Sequence, residues 1–270
     1  MAARKTPTSP VNKKDCPETL KDHPFYGMTL DPEQEAFRDA IWDKDKLIVF
    51  CNSRAGTGKT TVAVGTANIM YEYGRYDGIV AVMFPCEEYR QGYIPGDLKM
   101  KSEVYFESIN QAIIKCNLDP MHVVNDESLV NLKNGDGYIK LLTSTFLRGT
   151  NFENKIVIIE EAENGTTEEL KKVLTRCSDN CKVIVIGHTG QCDLRDKSKS
   201  GFARYIEHFK NEDKAAICEL KTNHRGWISS KADEVDLKRL DKKQKVCYDI
   251  STIGKGAGNS PALIKNETRK

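Results

Sequence analysis

The chain has 270 residues, of which 39% are hydrophobic and 30% are charged, a composition that is ordinary for a globular protein. This length is sufficient to bury one complete domain core with room for a small additional element. No stretch approaches the roughly 18 uninterrupted apolar residues that a membrane-spanning helix needs. The sequence therefore excludes a helical membrane protein and predicts no membrane partner.

The net charge of +2 is unevenly distributed along the chain. Residues 1–20 carry four basic and two acidic side chains, residues 231–270 carry ten basic and six acidic ones, and the body between them is acidic. Basic ends of this kind suit an anionic partner at the periphery, and they suit solvated tails equally well. Charge alone therefore does not establish nucleic-acid binding.

The cysteines predict a reducing, cytoplasmic compartment. There are nine of them, an odd number, and several lie in apolar runs, which favours buried free thiols over a disulfide framework. Cys177 and Cys181 are the only close pair, and no second pair or histidine couplet completes a zinc-binding set.

Short apolar runs alternate with amphipathic stretches along most of the chain. A capped helix is expected after Asp31, with Pro32 at its first position. Six apolar runs rich in Val and Ile read as buried strands, at 47–51, 79–84, 138–142, 156–159, 183–186 and 215–220. Helical patterns lie between them, at about 60–73, 101–116, 166–176 and 200–210. The alternation predicts an α/β fold with a mainly parallel sheet and helices on both faces.

A phosphate-binding loop follows the first strand and opens the helix after it. The sequence S-R-A-G-T-G-K-T departs from the P-loop pattern only at its first position, where Ser53 replaces glycine. Serine is tolerated there only if its backbone is not left-handed. Lys59 is expected to bridge the β- and γ-phosphates of ATP, and Thr60 to ligate Mg²⁺. The predicted ATP-binding residues of this loop are Ser53, Ala55, Gly56, Thr57, Gly58, Lys59, Thr60 and Thr61.

The fourth apolar run ends in adjacent carboxylates. Glu160 is the candidate Mg²⁺ ligand, and Glu161 is the candidate general base that polarises the attacking water. The alternative is a charge set at a helix N-terminus, because Glu163, Glu168 and Glu169 lie nearby. An aliphatic strand that runs directly into two glutamates favours the catalytic interpretation.

The fifth run ends in Gly187, and Gln191 follows in a polar stretch. Ligands of open α/β sheets bind at the carboxyl ends of strands, so Gln191 could sense the γ-phosphate. From the residues alone, a simple turn is an equally good interpretation.

Together these motifs resemble the PhoH-like (phosphate-starvation-inducible) ATPases, relatives of the first RecA-like domain of superfamily 1 helicases. The resemblance spans about residues 28–233. Gln34 resembles the glutamine that reads adenine in such proteins, and Gln191 and Arg225 resemble their phosphate-sensing glutamine and arginine. The other matching blocks are G-Y-I-P-G-D at 92–97, T-F-L-R-G at 145–149 and the N-x-R element at 223–225.

The resemblance implies a RecA-like P-loop NTPase fold that binds ATP and Mg²⁺. It assigns catalytic roles to Lys59, Glu161, Gln191 and Arg225, and it implies coupling to RNA or single-stranded nucleic acid, as in helicase-like proteins. Candidate nucleic-acid contacts mix cations with an aromatic ring, as single-strand binders do. They are Arg90, Tyr93, Lys99, Lys101 and Arg148; core packing is an equal alternative for Tyr93.

Three departures from the family pattern predict slower hydrolysis. Ser53-Arg54 stand where the family has Gly-Pro, Glu160 stands where it has Asp, and His188 replaces the Asp of its G-D-x-x-Q block. Two alternative functions follow, a non-catalytic or slow ATP-dependent switch and a P-loop phosphotransferase acting on a small acceptor.

The predicted domain organisation has three parts. Residues 1–20 are a disordered polar arm, residues 21–230 a single RecA-like ATPase domain, and residues 231–270 a basic helical or disordered tail. The chain is too short for a second RecA-like domain. Arg225 is therefore expected to act either in its own domain or, as we prefer, in trans across a homo-oligomeric ring such as a hexamer.

Overall fold

The computed structural model describes residues 16–84, 106–125, 137–147 and 149–233, and a six-stranded parallel sheet forms their centre. The spatial order is β3-β2-β4-β5-β1-β6, so one strand, β5, separates β1 from β4. This confirms the predicted α/β fold, and the six predicted strands are all present. Their bounds are β1 Ile48–Ser53, β2 Ile79–Met83, β3 Ile139–Thr143, β4 Ile156–Glu160, β5 Lys182–Gly187 and β6 Ala215–Leu220.

Helices cover both faces of the sheet, as predicted. In the central strands every residue is buried, and alternate side chains enter two separate hydrophobic clusters. One cluster packs against α1, α2 and α3, and the other against α5 and α6. The helices are α1 Pro32–Trp42, α2 Lys59–Glu72, α3 Glu107–Lys115, α4 Pro120–Val123, α5 Thr167–Leu174, α6 Phe202–Phe209 and α7 Trp227–Asp233.

The sequence signals at helix starts are realised at α1 and α5. Asp31 caps α1 by accepting a hydrogen bond from the Gln34 backbone N–H at 2.8 Å, and Pro32 occupies the first helical position. Thr166 and Glu169 form the same kind of capping box at α5. The predicted helix at 101–116 is seen from Glu107, and residues 101–105 lie outside the described residues.

The predicted disordered arm does not extend through residues 16–20. Trp42 Nε1 donates to the carbonyls of Pro17 and Glu18, at 3.2 and 3.1 Å, and Leu20 is fully buried in the cluster under α1 and α2. The prediction is wrong over these residues because an apolar anchor ends the polar stretch. Residues 1–15 and 234–270 lie outside the described residues, and the boundary predicted at residue 230 falls within α7.

A membrane-spanning helix and a cluster of metal-binding side chains are both absent from the described residues. None of the helices there is both long and apolar enough to cross a membrane. The described residues also contain no group of three or more His, Cys, Asp or Glu side chains that could hold a metal ion. Cys177 and Cys181 are free thiols.

Candidate active site

The P-loop connects the end of β1 to the start of α2, at the carboxyl edge of the sheet. Ser53 is the last residue of β1 and is not among the residues with positive φ, which confirms the condition for replacing the first glycine. Gly56 and Gly58 do adopt left-handed backbone, with φ of 82° and 81°. A side chain at either position would be strained, and these two glycines shape the loop.

The N-terminus of helix α2 has no side-chain cap. It begins at Lys59, and its cap residue, Gly58, provides no side chain to accept hydrogen bonds from the first turn. Free N–H groups and the helix dipole at such an end favour a phosphate. Lys59 is only 9% exposed, and its Nζ has no hydrogen-bond or ion-pair partner among the described residues. A buried, unpaired ammonium beside free N–H groups fits a bound polyphosphate.

The acidic strand reaches the P-loop helix directly. Thr60 Oγ1 donates to Glu160 Oε1 at 2.8 Å, whereas Glu160 Oε2 is buried with no hydrogen bond of standard geometry in the described part of the chain, although the nearby Ser108 hydroxyl acts to lower the pKa of this carboxyl. Burial, reinforced by the charge of Glu161, raises the pKa of Glu160 to about 7, although Lys59 and Thr60 oppose the shift. A hydroxyl and a carboxylate with a spare oxygen are suitable Mg²⁺ ligands, so the residues fit the predicted metal.

Glu161 follows in a strained conformation. Its φ and ψ of 49° and 47° are left-handed, which costs about 1–2 kcal/mol for a residue with a side chain. The strand ends here, and a single 3-10 turn, Ala162–Asn164, follows. Strain of this kind is found at functional sites, where the surrounding structure holds one residue in a fixed direction.

The two interpretations of the acidic cluster apply to different glutamates. Glu168 lies in the first turn of α5 and Glu169 completes its capping box, so these two form the helix N-terminal charge set. Glu163 lies apart from that set, because it is 2% exposed and lies close to the charge of Glu161. Burial, followed by the nearby charge of Glu161, raises its pKa to about 9. From the sequence, Glu163 was grouped with the helix N-terminal charge set, because its burial depends on the turn that follows β4.

The loop after β5 is attached to this acidic segment. Cys192 Sγ donates to the Glu163 carbonyl at 3.3 Å, and the Asp193 N–H donates to Asn164 Oδ1 at 2.9 Å. Gln191 itself is exposed, and its N–H closes a turn to the His188 carbonyl at 3.1 Å. No hydrogen bond within the described residues joins the Gln191 side chain to the P-loop.

Gln34 lies on the other side of the P-loop and is 7% exposed. Its Oε1 accepts from the Asp31 N–H at 3.1 Å, and its Nε2 donates to the Thr57 carbonyl at 2.8 Å. These bonds use half of the amide's capacity, because one N–H and one lone pair remain. The side chain is thus fixed against the loop while it keeps a donor and an acceptor for a base.

The predicted arginine element packs onto the P-loop. A Cβ added at Gly56 would lie 2.7 Å from Asn223 Oδ1 and 3.0 Å from Arg225 Cγ, so both side chains lie against that glycine. The His224 N–H donates to the Gly56 carbonyl at 2.8 Å. Asn223 Oδ1 also accepts from the Arg225 N–H at 2.8 Å, which fixes the turn.

The structure thus brings together most of the predicted nucleotide-site residues: Gln34, Ser53, Ala55, Gly56, Thr57, Gly58, Lys59, Thr60, Thr61, Glu160, Glu161 and Arg225. Gln191 is the exception, because it lies at the same sheet edge and its side chain makes no hydrogen bond to them within the described residues. The nucleic-acid candidates Arg90, Tyr93, Lys99, Lys101 and Arg148 lie outside the described residues.

The sequence of the chain matches the model of a known protein family. The family model described as PhoH-like protein matches residues 28–228, which is most of the chain. The chain belongs to the PhoH-like family. This confirms the resemblance inferred from the motifs, and the P-loop, acidic strand and arginine element all lie within the matched PhoH-like region.

Curated PhoH relatives share moderate sequence identity with the chain. Protein PhoH of Escherichia coli (strain K12) is 28% identical over 176 residues, which are 64% of this chain and 48% of that protein. The PhoH-like protein of Bacillus subtilis (strain 168) is 32% identical over 174 residues, which are 64% of this chain and 52% of that protein. The chain spans about half the length of these PhoH relatives.

Solved structures are more distant from this PhoH-like chain. The helicase domain of Hef from Pyrococcus furiosus is 14% identical, with a TM-score of 0.43, and the match covers 70% of this chain and 38% of that one.

Proposed function

We propose that this protein binds ATP with Mg²⁺, hydrolyses it, and couples hydrolysis to RNA or another single-stranded nucleic acid. The observation that carries the proposal is the 2.8 Å hydrogen bond from Thr60 to Glu160, two residues 100 positions apart. It brings the start of the P-loop helix to the end of the acidic strand. Residues with these two chemistries hold the metal in P-loop enzymes.

Each residue of the site has a chemical task in this proposal. The N–H groups at the start of α2 and the Lys59 ammonium bind the phosphates and compensate their charge. Thr60 and Glu160 would hold Mg²⁺, which when bound neutralises charge on the β- and γ-phosphates. The Glu161 carboxylate, fixed by its backbone conformation, orients the attacking water and accepts its proton.

Recognition of the base and of the γ-phosphate comes from two different residues packed on the P-loop. Gln34 keeps one N–H and one lone pair for adenine, which matches the amide's role in the family resemblance. Arg225 contacts Gly56 of its own chain, so we propose that it stabilises phosphate charge in cis rather than in trans. A homo-oligomeric ring stays a prediction, and light scattering with and without ATP and Mg²⁺ tests it.

The nucleic-acid partner and the cytoplasmic location rest on sequence. The family resemblance points to RNA or single-stranded nucleic acid, and the cation-rich segments around Arg90, Lys99 and Arg148 are the proposed contacts. Free cysteines, seven of them in the described residues, support a reducing compartment.

A slow nucleotide-dependent switch is the second candidate. It is favoured by Gln191, whose side chain is exposed and makes no hydrogen bond to the P-loop among the described residues. Without a polar group from β5 at the γ-phosphate, the attacking water would be less well oriented, and bound ATP would persist.

One assay separates the candidates: phosphate release with and without single-stranded RNA or DNA. Lys59→Ala and Glu161→Gln are the test variants, and Lys115→Ala and Glu168→Gln, both exposed, are their matched controls. Stimulation by nucleic acid that both test variants abolish would support the proposal. ATP binding without turnover would support the switch, and ADP formation that requires a small acceptor would support a phosphotransferase.

A further inference from the structure

A closed ring of hydrogen bonds links two P-loop residues to α1 and to the loop that carries Arg225, and we call it the P-loop ring. It consists of Asp31, Gln34, Gly56, Thr57 and His224. His224 N–H donates to the Gly56 carbonyl at 2.8 Å, and His224 Nε2 lies 2.7 Å from Asp31 Oδ2. Asp31 and Gln34 bond each other at 2.8 and 3.1 Å, and Gln34 Nε2 donates to Thr57, the neighbour of Gly56, at 2.8 Å.

The His224–Asp31 contact is the only side-chain to side-chain bond of the ring, and it joins residues 193 positions apart. A carboxylate can only accept, so His224 Nε2 donates. Partial burial by itself raises the pKa of Asp31, but the hydrogen bonds from Gln34 and His224 outweigh it and hold that pKa below its usual value. Asp31 is therefore ionised, and the bond is charge-assisted.

Neither neighbouring element needs this contact for its own structure. Asp31 caps α1 with Oδ1, whereas His224 uses Oδ2. The base of the arginine loop is already attached to α1, because Glu33 accepts from the Lys221 and Thr222 N–H groups at 2.6 and 3.3 Å. The His224 side chain thus fixes only the tip of that loop, where Arg225 follows.

We propose that His224 is a positioning residue that couples base recognition to arginine placement. Its bond to Asp31 holds Gln34 and the Arg225 loop in one arrangement on the P-loop. A nucleotide whose base is bound by Gln34 therefore also orders Arg225. This inference rests on the proposed function, since it gives Gln34 and Arg225 their roles there.

Three substitutions isolate the contact. His224→Ala removes the donor, and Asp31→Ser keeps a good helix cap while it removes Oδ2. His224→Gln keeps an N–H donor of similar reach. His122→Ala is the matched control, because His122 Nε2 also lies near an aspartate, 3.7 Å from Asp119 Oδ2. This pair is at helix α4, beside the edge strand β3.

The first measurement is hydrogen exchange in the nucleotide-free protein. Both His224→Ala and Asp31→Ser are expected to speed exchange of the residue 224 amide, which donates to Gly56, about fivefold. His224→Gln and His122→Ala are expected to leave it unchanged. If the residue 224 amide were as well protected from exchange in His224→Ala as in the wild type, the proposed link would be overturned.

The second measurement is equilibrium binding of fluorescent ATP and GTP analogues. His224→Ala and Asp31→Ser are each expected to weaken ATP binding about fivefold and GTP binding less, with the double variant no worse than either, and His224→Gln is expected to restore the ratio. Unchanged ATP-to-GTP selectivity in His224→Ala, with normal wild-type binding, would overturn the coupling alone. A wild-type protein that binds neither nucleotide would overturn the proposed function, and the coupling with it.

Discussion

Thr60 and Glu160 meet across the carboxyl edge of the sheet, with the threonine hydroxyl 2.8 Å from one carboxylate oxygen. Strand β5 lies between the strands that precede them, so the contact spans the width of one strand. The second oxygen of Glu160 is buried without a hydrogen bond of standard geometry in the described residues. A hydroxyl beside a buried carboxyl is a suitable pair of Mg²⁺ ligands, and the proposed function places the metal at this pair.

Glu161→Gln is expected to separate binding from hydrolysis. The amide keeps the size of the side chain but cannot accept a proton, so phosphate release should fall by about 10²- to 10⁴-fold while ATP still binds. Phosphate release and analogue binding are measured on the same preparation. Glu168→Gln, on the exposed first turn of α5, should match the wild type. A Glu161→Gln protein with normal turnover would remove Glu161 from the mechanism.

Lys59→Ala is expected to weaken nucleotide binding and to lower turnover about a hundredfold or more, because a buried positive charge beside the phosphates is lost. The folded protein should be at least as stable without nucleotide, since an unpaired ammonium is no longer buried. Urea unfolding and ATP-analogue titration check both parts. Loss of stability together with binding would indicate that Lys59 is structural.

Gly58→Ala is expected to damage the P-loop more than the same substitution at Gly27. Both glycines are left-handed, with φ of 81° and 79°, so the backbone strain of about 1–2 kcal/mol is shared. The new Cβ would lie 2.7 Å from Gln34 Nε2 at Gly58 and would meet nothing within 4 Å at Gly27. Nucleotide binding should therefore fail only in Gly58→Ala; equal effects of the two substitutions would contradict the role of Gln34.

Stability is expected to rise with pH through the titration of Lys182. Its side chain is fully buried, with Nζ donating to the Asp43 and Lys46 carbonyls, and burial, followed by the charge of Arg75, lowers its pKa to about 7. The unfolded pKa is about 10.4, so above pH 7 the unfolded chain binds more protons than the folded one.

The measurement for Lys182 is urea unfolding at pH 7 and pH 9. The difference in unfolding free energy between the wild type and Lys182→Met should shift by about 2 kcal/mol in favour of the wild type. Lys172→Met, at an exposed position of α5, should show no such shift. A difference that does not change with pH would show that Lys182 is charged in the folded protein over this range.

The fold was predictable because the signals are local. Five-residue runs such as I-V-I-I-E at Ile156–Glu160 are buried on both faces, and only a covered parallel sheet accommodates them. The P-loop could also be predicted from its sequence motif. The serine at its first position is tolerated because Ser53 has the extended backbone of a strand.

Contacts between distant segments could not be read from the sequence. Asp31 was predicted as a helix cap, a role that depends only on neighbouring residues. Its bond to His224 depends on the position of the loop that follows β6. The burial of Glu163 and Leu20 likewise depends on packing rather than on periodicity. For Gln191 the residues left a turn and a phosphate sensor open, and the structure shows the turn, with the Gln191 N–H donating to the His188 carbonyl, while the sensor role stays a prediction.

The most direct test of the ATPase proposal is phosphate release by the purified protein across a titration of Mg²⁺, with wild type and Lys59→Ala measured side by side. The proposal predicts release that saturates with ATP, requires Mg²⁺ and is lost in Lys59→Ala. Release that is the same in both proteins, or no release and no ATP binding by the wild type, would contradict it.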